Sequence, residues 1–227
     1  MYTLILLSGG SGTRMQNSVP KQYLLLAGKP VIMHILEKVD RIASIAEIVV
    51  VCTPSYQEQI AKMADQYGIT KRIVYAPAGI TRQASVMSGL SFVKTEDVII
   101  HEAARPFVKQ EDFEDLIRCP ERNATLGLDI PFTVLKGHQT VEGILTRSEL
   151  FNVQLPQKFE TVLLKEAHQK AAEDHLSFTE DASQVFHYFP QTIISICEGK
   201  DYNIKLTTRI DMLVGEIIYD EVFRRRK

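Results

Sequence analysis

Cysteine is scarce in this 227-residue chain, and the few present do not pair by spacing. Cys52, Cys119 and Cys197 are far apart and odd in number, with no CxxC or Cys/His pattern. That excludes a disulfide scaffold and a zinc site encoded by spacing, and it points to reduced thiols in a cytoplasmic protein. Excess charge is also missing: 26 Lys and Arg stand against 28 Asp and Glu, a formal net charge of −2. Nothing in that balance calls for nucleic acid or a membrane surface as partner. The one cationic run, "RRRK" at 224–227, reads as a solvated helix end. No apolar run approaches the length that spans a bilayer. The opening "MYTLILL" lacks a basic segment and leads straight into glycines, so no secretory signal is expected. Low-complexity segments and internal repeats are absent.

What is present is 45% hydrophobic content, enough for one large domain with a filled core. "YTLILL" (2–7), "EIVVVCT" (47–53), "KRIVYA" (71–76), "DVIIHEA" (97–103) and "NATLGLDIPF" (123–132) read as strands, the first two as buried ones. Helical spacing appears at 30–42, 55–67, 81–93 and 109–119, with Ser55 and Thr81 as candidate caps. It returns at 161–175, at 179–189 with Thr179 as the candidate cap, and in a long final helix over 207–225. A strand is expected at 192–199 and a short extended piece at 203–206. This alternation predicts an α/β fold with a mostly parallel sheet and helices on both faces. The stretch 132–153 breaks the rhythm and predicts a protruding β-arm on a single domain spanning 1–227.

The loop "LLSGGSGTRM" (6–15) follows the first strand. Such a turn brings backbone N–H groups against phosphate. It is not a P-loop, because the required lysine is missing, and its dinucleotide fingerprint fails at Met15. Arg14 and Lys21 flank a short loop that Pro20 stiffens. Backbone donors with an Arg fork and a Lys point charge beside them suit a triphosphate. No G-x-S-x-G elbow is present and the six histidines show no pairing.

"LSGGSGTRM…PKQYL" resembles the start of the cytidylyltransferases that act on small polyol phosphates, the family of the 2-C-methyl-D-erythritol 4-phosphate and ribitol-5-phosphate enzymes. The resemblance covers nearly the whole chain, since "GITRQASVMSGL" (79–90), "VIIHEAARPF" (98–107), Arg147, "PQKF" (156–159), "TEDAS" (179–183) and "NIKLTT" (203–208) follow in the family's order. It implies a Rossmann-like nucleotidyltransferase that moves CMP from CTP to a polyol phosphate and releases pyrophosphate. It further implies a homodimer that exchanges its arms, and Mg²⁺ arriving with CTP rather than in a protein-held cage.

By the same resemblance Arg14, Lys21 and Lys205 are the catalytic cations. Ser8, Gly9, Gly10, Gly12, Thr13, Gly79, Arg82, Ser85 and Ala103 hold the nucleotide. Glu102, Thr133, Arg147 and Thr179 hold the acceptor, with Arg147 supplied by the partner's arm. Two positions depart from the family: Glu102 stands where aspartate is usual, reaching about 1.5 Å further, and Leu155 stands where threonine is usual, losing a donor. "IPFTVLK" (130–136) fits the family pattern loosely, with Thr133 shifted by one. These departures leave the acceptor open between methylerythritol phosphate and another polyol phosphate.

Blander readings stand beside these. Arg105 reads equally as an ion-pair former or a ligand, His101 as a core histidine, Asp181 as a helix-start charge and Asp211 as a surface charge. Two other functions are weighed. A nucleotide-diphospho-sugar transferase would need a D-x-D-like metal motif, which "HEAAR" and "DIP" do not supply. A non-catalytic CTP-binding regulatory domain would have no use for the full set of cations.

Overall fold

The computed structural model describes residues 1–10 and 19–225. The expected positions Gly12, Thr13 and Arg14 therefore lie outside the described residues, as does the end of the basic tail. Strand β1 (Tyr2–Leu7) lies at the heart of a seven-stranded sheet in the order β11-β7-β10-β6-β1-β4-β5. Here β4 is Ile45–Cys52, β5 Arg72–Pro77, β6 Asp97–Glu102, β7 Ala124–Asp129, β10 Phe151–Glu160 and β11 Ser195–Glu198. β1 runs parallel to β4 and β6, β4 to β5, and β7 to β11. β10 is antiparallel to both of its neighbours. Two short strands, β2 (Leu25–Leu26) and β3 (Lys29–Pro30), form a small separate pair.

The strand period of two sorts the core into two layers. Leu4 and Leu6 of β1 join Ile48 and Val50 beneath α1 (Val31–Asp40), α2 (Gln57–Gln66) and α4 (Gln110–Arg118). Ile5, Val49 and Val51 face the other way, toward α3 (Arg82–Leu90), α5 (Thr161–Glu173) and α6 (Asp181–Tyr188). The final helix α7 (Arg209–Tyr219) closes a satellite cluster of Leu26, Phe107 and Leu206, then widens into a π-turn over Asp220–Arg224.

Several local expectations change. Ser55 does not cap α2. Pro54–Tyr56 form a separate 3₁₀ turn, because Pro54 fixes a tight start before the helix proper. Thr179 does not cap α6 either: the Glu180 carboxylate accepts from Ala182 N at 2.8 Å and Ser183 N at 2.5 Å. Asp211 is no idle surface charge. With Thr208 it forms a capping box at the start of α7, and it also accepts from Thr207 N at 2.6 Å.

β10 is a strand that the sequence pattern does not announce. Its sequence, "FNVQLPQKFE", hides apolar alternation behind polar residues that are nonetheless buried. Gln157 donates from Nε2 to Thr125 Oγ1 and Glu180 Oε2, both at 2.8 Å. Lys158 donates from Nζ to the carbonyls of Ile117 and Cys119 at 3.3 and 2.7 Å, near the end of α4. Pro156 sits where the pairing to β7 shifts register, so its missing N–H breaks no ladder bond.

The segment predicted as an arm does leave the sheet, as a hairpin of β8 (Leu135–Gly137) and β9 (Val141–Ile144) followed by a 3₁₀ turn at Arg147–Glu149. Its apolar residues Phe132, Leu135, Val141 and Ile144 are exposed.

Phe113 of α4 is fully buried between the sheet and the ring edge of His101. Phe113→Ala should therefore lower the unfolding free energy by about 3–5 kcal/mol, as measured by denaturant titration. A loss under 1 kcal/mol would show that this layer tolerates the void.

Candidate active site

Three chain segments meet at the C-terminal ends of β1, β5 and β6, where ligands of open α/β sheets bind. They enclose a cavity of about 470 Å³ lined by the glycine loop, the start of α3 and the segment before α7.

The first wall is the turn after β1. Ser8 N donates to Val51 O at 2.7 Å, which extends the β1–β4 pairing by one residue. Gln22 then holds the turn from behind, its Nε2 donating to Ser8 O at 2.6 Å and to Gly10 O at 3.1 Å. Tyr23 adds a hydroxyl contact to Ser8 Oγ at 3.2 Å, and burial pushes its phenol up to about 12. Gly9 is required by space: a Cβ there would lie 2.2 Å from Ala78 Cβ. Gly10 faces open space, as a backbone cradle needs. Lys21, from the 3₁₀ turn Lys21–Tyr23, lines the same side. The sequence motif "PKQYL" contains Gln22 but assigns it no role. Its signal was a buried polar side chain next to a predicted loop, which spacing does not reveal.

The second wall is the start of α3. Thr81 caps this helix, its Oγ1 accepting from Ala84 N at 3.0 Å. Gly79 lies so close to the helix that a Cβ would stand 2.5 Å from Ala84 Cβ. Ser85 Oγ accepts from Gly79 N at 3.1 Å and donates to Thr81 O at 2.9 Å, so it braces this loop while lining the cavity.

Between the walls sits Glu102, at the end of β6 and 7% exposed. Its Oε2 lies 2.6 Å from Lys205 Nζ and 3.9 Å from Arg105 Nε, while Oε1 accepts from Arg82 Nε at 3.2 Å. Burial alone would raise its pKa. Lys205, Arg82 and Arg105 outweigh burial and hold the carboxyl below its usual range. Arg82 also donates from Nη2 to Asp181 Oδ2 at 2.7 Å. Asp181, fully buried, accepts on Oδ1 from His168 Nε2 at 3.1 Å. Burial works against its charge, and Arg82 and His168 prevail, pulling it down to about 2. Asp181 thus starts α6 and also serves the cavity.

The structure resolves the open reading of Arg105 toward the scaffold. Its Nη1 donates to Asn203 O at 3.0 Å, and Asn203 Nδ2 donates to Leu155 O at 2.7 Å. His101 is fully buried, with Nε2 donating to Arg105 O at 3.1 Å, and burial drives its pKa to about 3. Leu155 is buried too and does not line the cavity.

Of the expected positions, Ser8, Gly9, Gly10, Lys21, Gly79, Arg82, Ser85, Glu102 and Lys205 come together around the cavity. Ala103 is buried in the core layer, its N–H donating to Leu7 O at 3.0 Å, and Ala104 lines the cavity instead. Thr133 and Thr179 are exposed and stand apart from the lining. Arg147 lies on the exposed arm, its Nη1 donating to Pro131 O at 3.1 Å.

The Asp181 charge carries a stability signature. Its folded pKa, about 2, lies below the ordinary 3.8, so its contribution is complete above about pH 4 and is lost as pH falls toward 2. That loss is about 2 kcal/mol. Unfolding titrations between pH 5 and 2 should show a shallower pH dependence for Asp181→Asn than for wild type. Parallel curves would mean that the buried pair adds no linkage.

Comparison with known proteins places this geometry. The family model of 2-C-methyl-D-erythritol 4-phosphate cytidylyltransferase matches residues 2–221. The protein of that name from Halalkalibacterium halodurans is 32% identical over 229 residues, covering 99% of each chain. Its counterpart from Chlamydia pneumoniae is 38% identical over 208 residues, covering 86% of this chain and 94% of its own. Among solved structures, the 4-diphosphocytidyl-2C-methyl-D-erythritol synthase of Anaerococcus prevotii superposes with a TM-score of 0.85 at 26% identity, over 95% of this chain and 94% of that one. The fold and the ordered motifs agree with these matches along nearly the whole length, and the chain belongs to the 2-C-methyl-D-erythritol 4-phosphate cytidylyltransferase family of nucleotidyltransferases.

Proposed function

We propose that this chain transfers the cytidylyl group of CTP to 2-C-methyl-D-erythritol 4-phosphate and releases pyrophosphate. The observation that carries the reading is the cavity itself. Gly9, Gly10 and the cation Lys21 line it together with Lys205, Arg82 and Glu102. Family membership supplies the substrate class.

The chemistry follows from charge. A phosphate monoester is an anionic nucleophile near neutral pH, since its second pKa is about 6. It needs no strong base. It needs in-line placement against the α-phosphorus and cations that offset the repulsion of two anions. The glycine turn holds the triphosphate, and Lys21 offsets charge that grows as pyrophosphate leaves. Lys205 sits where it can serve both the acceptor phosphate and the α-phosphate. Glu102 keeps Lys205 and Arg82 in place and offers a carboxylate to acceptor hydroxyls.

Mg²⁺ fits as a companion of the nucleotide. The carboxylate in the cavity, Glu102, is already shared among three cations, so phosphate oxygens and water would hold the ion. When bound, it would neutralise triphosphate charge. Arg147 and Thr133 are exposed and stand apart from the cavity of their own chain, and we take a partner's arm to bring them to the acceptor in a homodimer that exchanges its arms. The exposed apolar residues of the arm favour the same arrangement.

The test is pyrophosphate release with CTP and Mg²⁺, supplying methylerythritol phosphate, ribitol 5-phosphate and glycerol phosphate separately. Turnover with methylerythritol phosphate is expected, and Lys21→Ala should lower kcat by about 10²-fold or more. Turnover with ribitol or glycerol phosphate alone would move the acceptor. An unchanged rate in Lys21→Ala would remove that residue from the mechanism.

A further inference from the structure

Arg82 lines the cavity, and two carboxylates set its direction. Glu102 takes its Nε edge and Asp181 takes Nη2. Nη1 is the nitrogen that neither carboxylate engages, and it is the one left for a ligand anion. Asp181 holds this fork only if its own carboxylate plane is fixed. One oxygen faces Arg82, and the other accepts from His168 Nε2 at 3.1 Å.

His168 comes from the middle of α5 and is 2% exposed, in the apolar layer that contains Val86, Leu164 and Val185. Its Nδ1 is buried with no hydrogen-bond partner. A polar ring in such a layer costs free energy unless its polar contact is used. A leucine would fill the space and leave no orphaned nitrogen. The use of the histidine is therefore its single hydrogen bond, made to a buried carboxylate whose other oxygen orients a cavity arginine.

We propose that His168 is a positioning residue for the nucleotide site: it locks the Asp181 carboxylate so that Arg82 presents Nη1 to the anionic ligand. The relay runs from α5 through the first residue of α6 to the first residue of α3. His168 touches no ligand, and its effect reaches the cavity only through Asp181. This inference rests on the proposed CTP activity for its substrate, but its geometry can be read without CTP.

The experiment compares wild type, His168→Leu and His168→Gln. The glutamine amide reaches roughly where Nε2 stands, and the leucine offers no donor. Calorimetry measures Mg²⁺–CTP binding, pyrophosphate release gives the KM for each substrate, and thermal melts report the folded fraction. The ¹⁵N resonance of Arg82 Nε reports the arginine directly, without ligand. Losing a hydrogen bond to a charged group should weaken CTP binding roughly tenfold or more in His168→Leu. The acceptor KM should hold, the Arg82 Nε–H signal should broaden or exchange faster, and His168→Gln should recover most of both effects.

A purely structural histidine would lower the melting temperature and the active fraction, leaving the CTP affinity of folded protein and the Arg82 signal unchanged. That result would overturn the proposal, as would failure of glutamine to outperform leucine. Should the leucine chain not fold, His168→Asn, too short to reach Asp181, takes its place with the same expected loss. If wild type itself binds no CTP, the proposed activity fails, and the Arg82 resonance alone then decides the relay.

Discussion

A single buried carboxylate organises this molecule's working end. Glu102 ends a central strand and gathers Arg82 from α3, Arg105 from the following turn and Lys205 from the segment before α7. Three cations in so small a volume repel one another, and a low-dielectric surrounding strengthens that repulsion. With the anion at the centre, the same residues become a lattice that fixes three separate elements. Removing one member of such a buried set typically costs about 3–5 kcal/mol, because the others are left uncompensated. The cavity is thus a region of stored positive charge whose geometry exists before any ligand arrives. That is what a reaction between two anions needs. Glutamate in place of the family's aspartate is consistent with this role: the longer side chain spans from the strand end to Lys205 at 2.6 Å.

The fold was legible wherever burial and apolarity coincide. β1, β4 and β6 are continuous apolar runs, and the helices between them carry apolar residues at helical spacing, so a parallel sheet covered on both faces follows directly. It failed where burial is achieved by polar residues. β10 places Gln157 and Lys158 in the interior, where the Gln157 amide donates to a hydroxyl and a carboxylate and Lys158 donates to carbonyls at the end of a helix. Those partners are remote in sequence, so no local pattern announces the strand. The α6 cap shows the same limit on a smaller scale. Thr179 is the better capping residue by type, but the longer Glu180 also reaches Gln157, and that tertiary bond decides the register.

The cavity lining was legible at the glycine turns and less so elsewhere. Glycine positions dictated by close approach, such as Gly9 and Gly79, leave a mark in sequence because no other residue fits. Gln22, His168 and Asp181 leave no such mark. Each acts through a second residue, and their chemistry reads as ordinary polarity until the contacts are known. Thr133, Arg147 and Thr179 are a different case. They lie on exposed segments away from the cavity of their own chain, so only a partner subunit or a bound acceptor would give them a role.

The cavity walls also have an unusual origin along the chain. One is built from residues 7–10, the opposite one from Lys205 and Thr207, and Leu206 N anchors that far wall by donating to Ala104 O at 2.8 Å. The glycine turn comes long before Lys205 in chain order, so the two walls meet only through long-range contacts. The cavity is complete only when the segment before α7 docks on the turn after β6. Loosening that one backbone hydrogen bond would open the cavity on one side while leaving the strand pairing of the sheet intact.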